Sequence, residues 1–305
     1  SGNMYFCNSE LYGMISEELD QTQLFILVDT HKILIFREEK MALYNNRIVV
    51  KVGTSTLTND TGKSDLRATD RLVCTLADIH NMGYEVILVS SGAIAVGRNK
   101  LNMHDKPDSM RMKQAAAAVG QCSLMYLYDK FFGDYDKTVA QILLNAEDIE
   151  QEEKKENLTN TFNALLEMGV IPIVNENDSV SYTEIESEDR LFGDNDMLSS
   201  VVAVLCRAKR LVILSDIDGF YDSDPRLHPN AKLIEQIDAI DESVYSLAGG
   251  AGSRRGTGGM RTKLQAAQLA TSNGIDTIVT NGKRPEALYD IVKGGKAGTL
   301  FTGKL

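Results

Sequence analysis

Cysteine is scarce and scattered: Cys7, Cys74, Cys122 and Cys206 form no C-x-x-C pair and have no histidine at metal-ligand spacing. That argues against a disulfide framework or a local zinc site and leaves scattered buried thiols of a cytosolic protein as the expectation. No apolar run approaches the roughly 20 residues of a membrane-spanning helix. The N-terminal stretch lacks a basic segment followed by a long apolar one, so no secretory signal is expected and the expected location is cytoplasmic. Positive charge is also short, with a net charge of −11. A nucleic-acid partner, which needs a basic face, is therefore not expected. A small anionic ligand stays open, because a few local lysines and backbone N–H groups outweigh a distant acidic surface.

The common phosphate and hydrolase motifs are missing too. Gly62-Lys63-Ser64 supplies the end of a Walker A loop, but its required first glycine falls on Leu57. A dinucleotide G-x-G-x-x-G begun at Gly250 or Gly256 fails at Arg255 or Arg261. Protein-kinase His-Arg-Asp and Asp-Phe-Gly triplets, a G-x-S-x-G turn and H-E-x-x-H are all absent. If the chain handles phosphate, it uses none of these devices.

What is present is ordinary globular material, 43% hydrophobic and 25% charged over 305 residues, enough to bury a core as one large or two small domains. From Arg47 the pattern becomes regular. Residues 48–52, 85–89, 138–144, 170–174, 210–214 and 277–280 read as strands. About 66–82, 108–132, 157–168, 196–207, 260–273 and 285–292 read as helices, and another helix opens after Ser90-Ser91-Gly92. This alternation predicts βαβ units, a mainly parallel sheet and helices on both faces. Residues 1–40 stand apart; apolar runs at 24–28 and 33–36 fit either a β-hairpin or a loosely attached extension, and neither carries chemistry.

Ligands of such sheets gather beyond the carboxyl ends of the strands. Here those ends are small or polar: Gly53-Thr54, Ser91-Gly92, Asn175-Glu176-Asn177-Asp178, Ser215-Asp216 and Asn281-Gly282. The stretch Gly256-Thr257-Gly258-Gly259-Met260-Arg261-Thr262-Lys263 runs glycines into a helix start and a lysine. Close backbone approach, free N–H groups and a full positive charge together describe an oligophosphate pocket, though a flexible loop before a surface helix is the plainer reading. Lys51 is a second cation, within an apolar strand, where burial without an anion is expensive. Its alternative is an edge position facing solvent. Asn175-Glu176-Asn177-Asp178 and Gly193-Asp194-Asn195-Asp196 are dense in amides and carboxylates. Such residues serve equally as turns and helix caps, or as holders of an amino group, a lysine or Mg²⁺.

Together these segments, with Asp222-Ser223-Asp224-Pro225-Arg226, resemble the amino acid kinase family over about residues 46–303, most closely its branch acting on the γ-carboxylate of glutamate. The resemblance implies a carbamate kinase-like, three-layer α/β/α sandwich around a mostly parallel sheet. It implies an extension at 1–40 and a kinase domain at 41–305, with glutamate bound by about 41–207 and nucleotide by about 208–305. ATP and Mg²⁺ would be the cofactors and L-glutamate the acceptor, in the first step of proline biosynthesis. Lys51, Lys263, Asp194 and Asp196 would be catalytic, with the carboxylates orienting the lysines or holding Mg²⁺. Ser91, Gly92, Asn175, Asp178 and Asn195 would seat glutamate. Lys51, Gly53, Ser215, Asp216 and the run Thr257, Gly258, Gly259, Met260, Arg261, Thr262, Lys263 would seat the nucleotide. Metal ligands on the protein stay unassigned. Family habit suggests a homodimer or homotetramer, with feedback inhibition by proline possible in principle. Three departures stand out: no room for the C-terminal PUA domain of many members, a longer connection at 184–192, and residues 1–40. Another activity within the family or a catalytically weak amino-acid sensor is the alternative, and keeping both lysines counts against the sensor.

Overall fold

Residues 47–52 are six consecutive buried positions, so the strand containing them must have a packed layer on each face. The computed structural model describes residues 25–29, 32–36, 43–59, 63–103, 105, 107, 109–180, 195–248 and 258–304. In chain order its elements are β1 (Phe25–Asp29), β2 (Lys32–Phe36), β3 (Tyr44–Val52), α1 (Thr54–Leu57), α2 (Leu66–Asn81), β4 (Glu85–Val89), α3 (Ala93–Lys100) and α4 (Met110–Asp134). There follow β5 (Val139–Leu144), α5 (Ala146–Glu150), α6 (Glu152–Glu167), β6 (Ile171–Glu176), α7 (Asn195–Leu205) and β7 (Ala208–Ser215). The last are β8 (Gln236–Ile237), α8 (Glu242–Ala248), α9 (Gly258–Ser272), β9 (Asp276–Asn281), α10 (Ala287–Val292) and β10 (Thr299–Phe301).

β1 and β2 pair antiparallel as a separate two-stranded sheet, as the hairpin reading of the early segment has it. The other eight strands form one sheet in the order β5-β6-β4-β3-β7-β9-β10-β8. Its pairs are parallel except for β9 with β10. From β3 the chain moves out through β4 to β6 and β5, then returns to the other side of β3 with β7 and β9. The order therefore reverses at β3, the position where open α/β sheets form their ligand crevice.

Alternation along β3 assigns its side chains to the two layers. Ile48, Val50 and Val52 enter one core with Leu72, Leu76, Tyr128, Phe132 and Leu288, from α2, α4 and α10. Val49 enters the other with Phe162, Leu198, Val202 and Leu264, from α6, α7 and α9. Arg47 and Lys51 share the face of Val49. Arg47 is satisfied structurally: Glu85 at 2.7 Å, Asn163, the Cys206 carbonyl and the Tyr44 ring, 4.0 Å from the guanidinium carbon. Among the described cysteines the expectation of buried thiols holds for Cys206, while Cys74 is half-buried and Cys122 exposed; Cys7 lies outside the described residues. Among the described residues no helix is long and apolar enough to cross a membrane.

α3 and α4 cross in backbone contact. A Cβ on Gly97 would lie 1.7 Å from the Ala116 carbonyl oxygen, and one on Gly120 would lie 1.7 Å from that of Ala93. Neither carbonyl can yield without moving its helix. Gly120→Ala is therefore expected to cost about 3 kcal/mol or more, at or beyond the upper end of ordinary overpacking, as read by urea unfolding.

Candidate active site

Lys51 is the last but one residue of β3, and its alternation sends it under α7 and α9. There the Asp196 carboxylate, in the first turn of α7, takes an ion pair from each side. Lys51 Nζ lies 2.6 Å from Oδ1 and Lys263 Nζ, from the second turn of α9, 2.8 Å from Oδ2. Asp196 is wholly buried, and the lysine side chains are only 6% and 12% exposed. The solvent-facing edge reading of Lys51 thus fails: β3 is central in the sheet. Burial works to raise the Asp196 pKa, but the charges of Lys51 and then Lys263 outweigh it and hold the carboxyl below its usual range. The group stays ionised, and its contribution to stability, present above the unfolded pKa of about 3.9, is lost only as pH falls through the folded value.

One carboxylate facing two ammonium groups leaves a net positive site at the end of β3. Gly53 borders it: a Cβ there would sit 3.9 Å from Lys51 Nζ, so the loop passes beside the ammonium with no side chain between. Lys263 Nζ also donates to the Gly259 carbonyl at 3.2 Å, folding its stem back along the first turn of α9. The N–H groups at the start of that turn, from Gly258 to Met260, have no acceptor within their own helix and add partial positive charge. Ser215 ends β7 beside β9; its hydroxyl donates to Asp216 at 3.1 Å and its carbonyl accepts from Gly282 N–H at 2.7 Å. Met260 packs against the core of the α9 layer, and Thr262 donates to the Gly259 carbonyl at 3.1 Å. These are residues that the sequence reading expects to seat a nucleotide, and they lie on the β7–β9 side of β3.

On the β4–β6 side the amides come together. Asn195, beside Asp196 in α7, donates through Nδ2 to the Ser90 carbonyl and, at 2.8 Å, to Asn175 Oδ1. Its amide therefore ties α7 to the ends of β4 and β6. Ser91 donates to the Val52 carbonyl at 2.9 Å, next to Thr54. Gly92 caps α3 with φ +93°, and a Cβ would meet Thr54 Cγ2 at 3.2 Å, so glycine suits both the backbone and the space. Asp178 is half-buried in the turn after β6. Asp194, Thr257 and the long connection at 184–192 lie outside the described residues. Every other residue expected at the site is at the carboxyl edge of the sheet.

Two features escaped the sequence reading. Gln121 of α4 accepts from Asn175 Nδ2 at 2.9 Å; it sits in an alanine-rich helix with nothing local to mark it. Asp218 accepts from Asn281 at 2.9 Å and from Arg284 at 3.0 Å, which together, Asn281 foremost, hold its pKa down against burial. Asn281 had been noted only as a polar strand end. No group of three His, Cys, Asp or Glu side chains among the described residues is arranged for a metal. Asp196, committed to two ammonium groups, is poorly suited to be a Mg²⁺ ligand.

A model of the amino acid kinase family matches residues 46–281, and the chain belongs to that family. Solved structures of isopentenyl phosphate kinase from T. acidophilum and UMP kinase from Bacillus anthracis share its fold, with TM-scores of 0.57 and 0.55 at 17% and 14% identity. They cover 84% and 85% of this chain, which spans 99% and 97% of theirs. Within the family its relatives include the glutamate 5-kinases. That of Clostridium perfringens is 55% identical over 260 residues, 85% of this chain and 96% of the relative. That of Enterococcus faecalis is 49% identical over 255 residues, 84% and 94% respectively.

Proposed function

We propose that this chain transfers the γ-phosphoryl group of ATP to the γ-carboxylate of L-glutamate, giving γ-glutamyl phosphate and ADP, the first step of proline biosynthesis. The observation that carries it is the convergence of Lys51 and Lys263 on Asp196 at the point where the sheet order reverses. One oxygen of the ionised carboxylate bonds to the γ-phosphorus as the bond from that phosphorus to the β-phosphate bridge breaks, and its electrons leave with ADP. No proton moves, because the acceptor is already ionised at neutral pH. That suits a site built of lysines and amides. Phosphoryl transfer asks of the protein mainly alignment and neutralised charge. Lys51 and Lys263 supply the charge; Asp196 aims both ammonium groups from a buried position.

The glutamate seat is Ser91, Gly92, Asn175, Asp178 and Asn195, on the part before about residue 207. The nucleotide seat is Gly53, Ser215, Asp216 and 257–263, on the part from about 208 onward. Mg²⁺ would be held by the ATP phosphates and neutralise their charge, since Asp196 is engaged by both lysines; Asp194 is proposed, on the resemblance, to orient a lysine or hold the metal. A homodimer or homotetramer, with feedback inhibition by proline, completes the proposal, on family resemblance.

ADP release measured with glutamate, aspartate, N-acetylglutamate or UMP as acceptor tests this. Turnover with glutamate far above the others is expected, and turnover with only another acceptor overturns it. Asp178→Ala should raise KM for glutamate about tenfold, the effect of one lost charged hydrogen bond, and leave KM for ATP nearly unchanged. Steady-state kinetics with each substrate varied reads this directly; the opposite pattern would move Asp178 to the nucleotide side.

A further inference from the structure

Three side-chain amides, from three different elements, are strung in one line: Gln121 on α4, Asn175 on β6 and Asn195 on α7. An amide has an oxygen end and an NH₂ end, and which way it points is decided by its neighbours. Here backbone groups decide it at two places. The Glu176 N–H, which can only donate, gives to Asn175 Oδ1 at 2.9 Å. The Ser90 carbonyl, which can only accept, takes from Asn195 Nδ2. With Oδ1 of Asn175 turned toward Glu176 and Asn195, its Nδ2 must face α4, where Gln121 offers Oε1. Both protons of Asn195 Nδ2 are then used inside the protein, and the oxygen of that amide is the group it has left to offer a substrate.

We infer that Gln121 is a positioning residue for glutamate: by accepting from Asn175 it anchors the end of an amide line whose direction the Glu176 N–H and the Ser90 carbonyl set, and so holds Asn195 where it presents an acceptor oxygen to the substrate ammonium. The inference rests on the reading of Asn175 and Asn195 as part of the glutamate seat. Asn175 is buried and only 2% exposed, so loss of its acceptor on α4 leaves a buried N–H₂ without protein compensation. A flip of the Asn175 amide gives no relief, because Nδ2 would then face two donors, the Glu176 N–H and the Asn195 NH₂; the relief is a shift of the Asn175 side chain toward another acceptor, which draws Oδ1 off Asn195 and loosens the line. Gln121 is itself well placed to act as a fixed support. It follows Gly120, whose Cα lies against the Ala93 backbone at the crossing with α3, so the base of its side chain has little room to move.

The test compares Gln121→Met, which keeps length and helix propensity but removes the acceptor, with Gln121→Glu, which keeps an acceptor oxygen. Gln121→Ala replaces the methionine variant if that one does not fold, with the same expectation. Gln121→Met should raise KM for glutamate about tenfold, as expected for one lost hydrogen bond to a positioned group. KM for ATP should change at least fivefold less, and Gln121→Glu should return KM for glutamate to within about threefold of the parent. The inference is overturned if Gln121→Met leaves KM for glutamate within twofold, if both KM values rise alike, or if Gln121→Glu is as impaired as Gln121→Met. Asn195→Ala, measured alongside, separates this from the seat itself. A raised KM for glutamate in Asn195→Ala with none in Gln121→Met sinks only the role of Gln121. No rise in Asn195→Ala sinks the seat and the inference together.

Discussion

Lys263→Ala should lower kcat by about a thousandfold in a protein that still folds. A charge aimed at developing transition-state charge in a water-poor site contributes several kcal/mol, and about 4 kcal/mol corresponds to that factor. Two observations support the size of the effect. The Lys263 side chain is only 12% exposed, so little solvent screens its charge, and its bond to Asp196 at 2.8 Å fixes its direction. Folding should survive, because Asp196 keeps its contact with Lys51 at 2.6 Å and the buried charge stays compensated. ADP release under saturating glutamate and ATP, with a thermal unfolding curve alongside, measures both parts. An unchanged kcat removes Lys263 from the mechanism.

Asp196→Asn should be worse than either lysine change, because it damages fold and chemistry together. The substitution leaves two ammonium groups converging on a neutral amide in a site closed to solvent. Removing one partner of a buried ion pair costs about 3–5 kcal/mol through the uncompensated charge left behind. At an effective dielectric of about 20, two like charges some 4 Å apart repel by about 4 kcal/mol. The lysines relieve this by swinging apart, which abolishes their shared aim. Urea unfolding should show a stability loss of several kcal/mol, and kcat should fall at least a thousandfold in the folded fraction. Wild-type stability in Asp196→Asn would show that the carboxylate is not the organiser of the two cations.

The parallel core was legible in sequence because its strands are β-branched runs ended by small polar residues, as with 48–52 before Gly53 and 85–89 before Ser90. The β10–β8 end of the sheet was not. β8 has two residues and β10 three, and α8 has seven; such segments hold too little periodicity to register. The crossing of α3 on α4 was hidden for another reason: Gly97 and Gly120 are 23 positions apart, and nothing in either local sequence says that they meet.

The site divided the same way. Lys51 was noticeable because a lysine in an apolar strand needs an anion, whereas Arg47, on the same face, turned out to hold the sheet together. Which of three adjacent residues, Asp194, Asn195 and Asp196, serves the lysines is a matter of helix phase. The resemblance placed Asn195 with glutamate and left Asp194 and Asp196 both open for the lysines; the first turn of α7 sends Asp196 to the lysines and Asn195 to the amides. Gln121 was invisible, since its role exists only through the orientation of a neighbour on another element.

The most direct test of the central claim is a crystal structure with MgADP, aluminium fluoride and glutamate, which together mimic the migrating phosphoryl group. The account predicts the amines of both Lys51 and Lys263 within hydrogen-bonding distance, about 3 Å, of the fluoride plane or the oxygens flanking it. It predicts Asp196 still between the two amines, and glutamate on the Asn175–Asn195 side. A complex in which the fluoride sits away from both lysines, or glutamate lies on the β7–β9 side of β3, would contradict it.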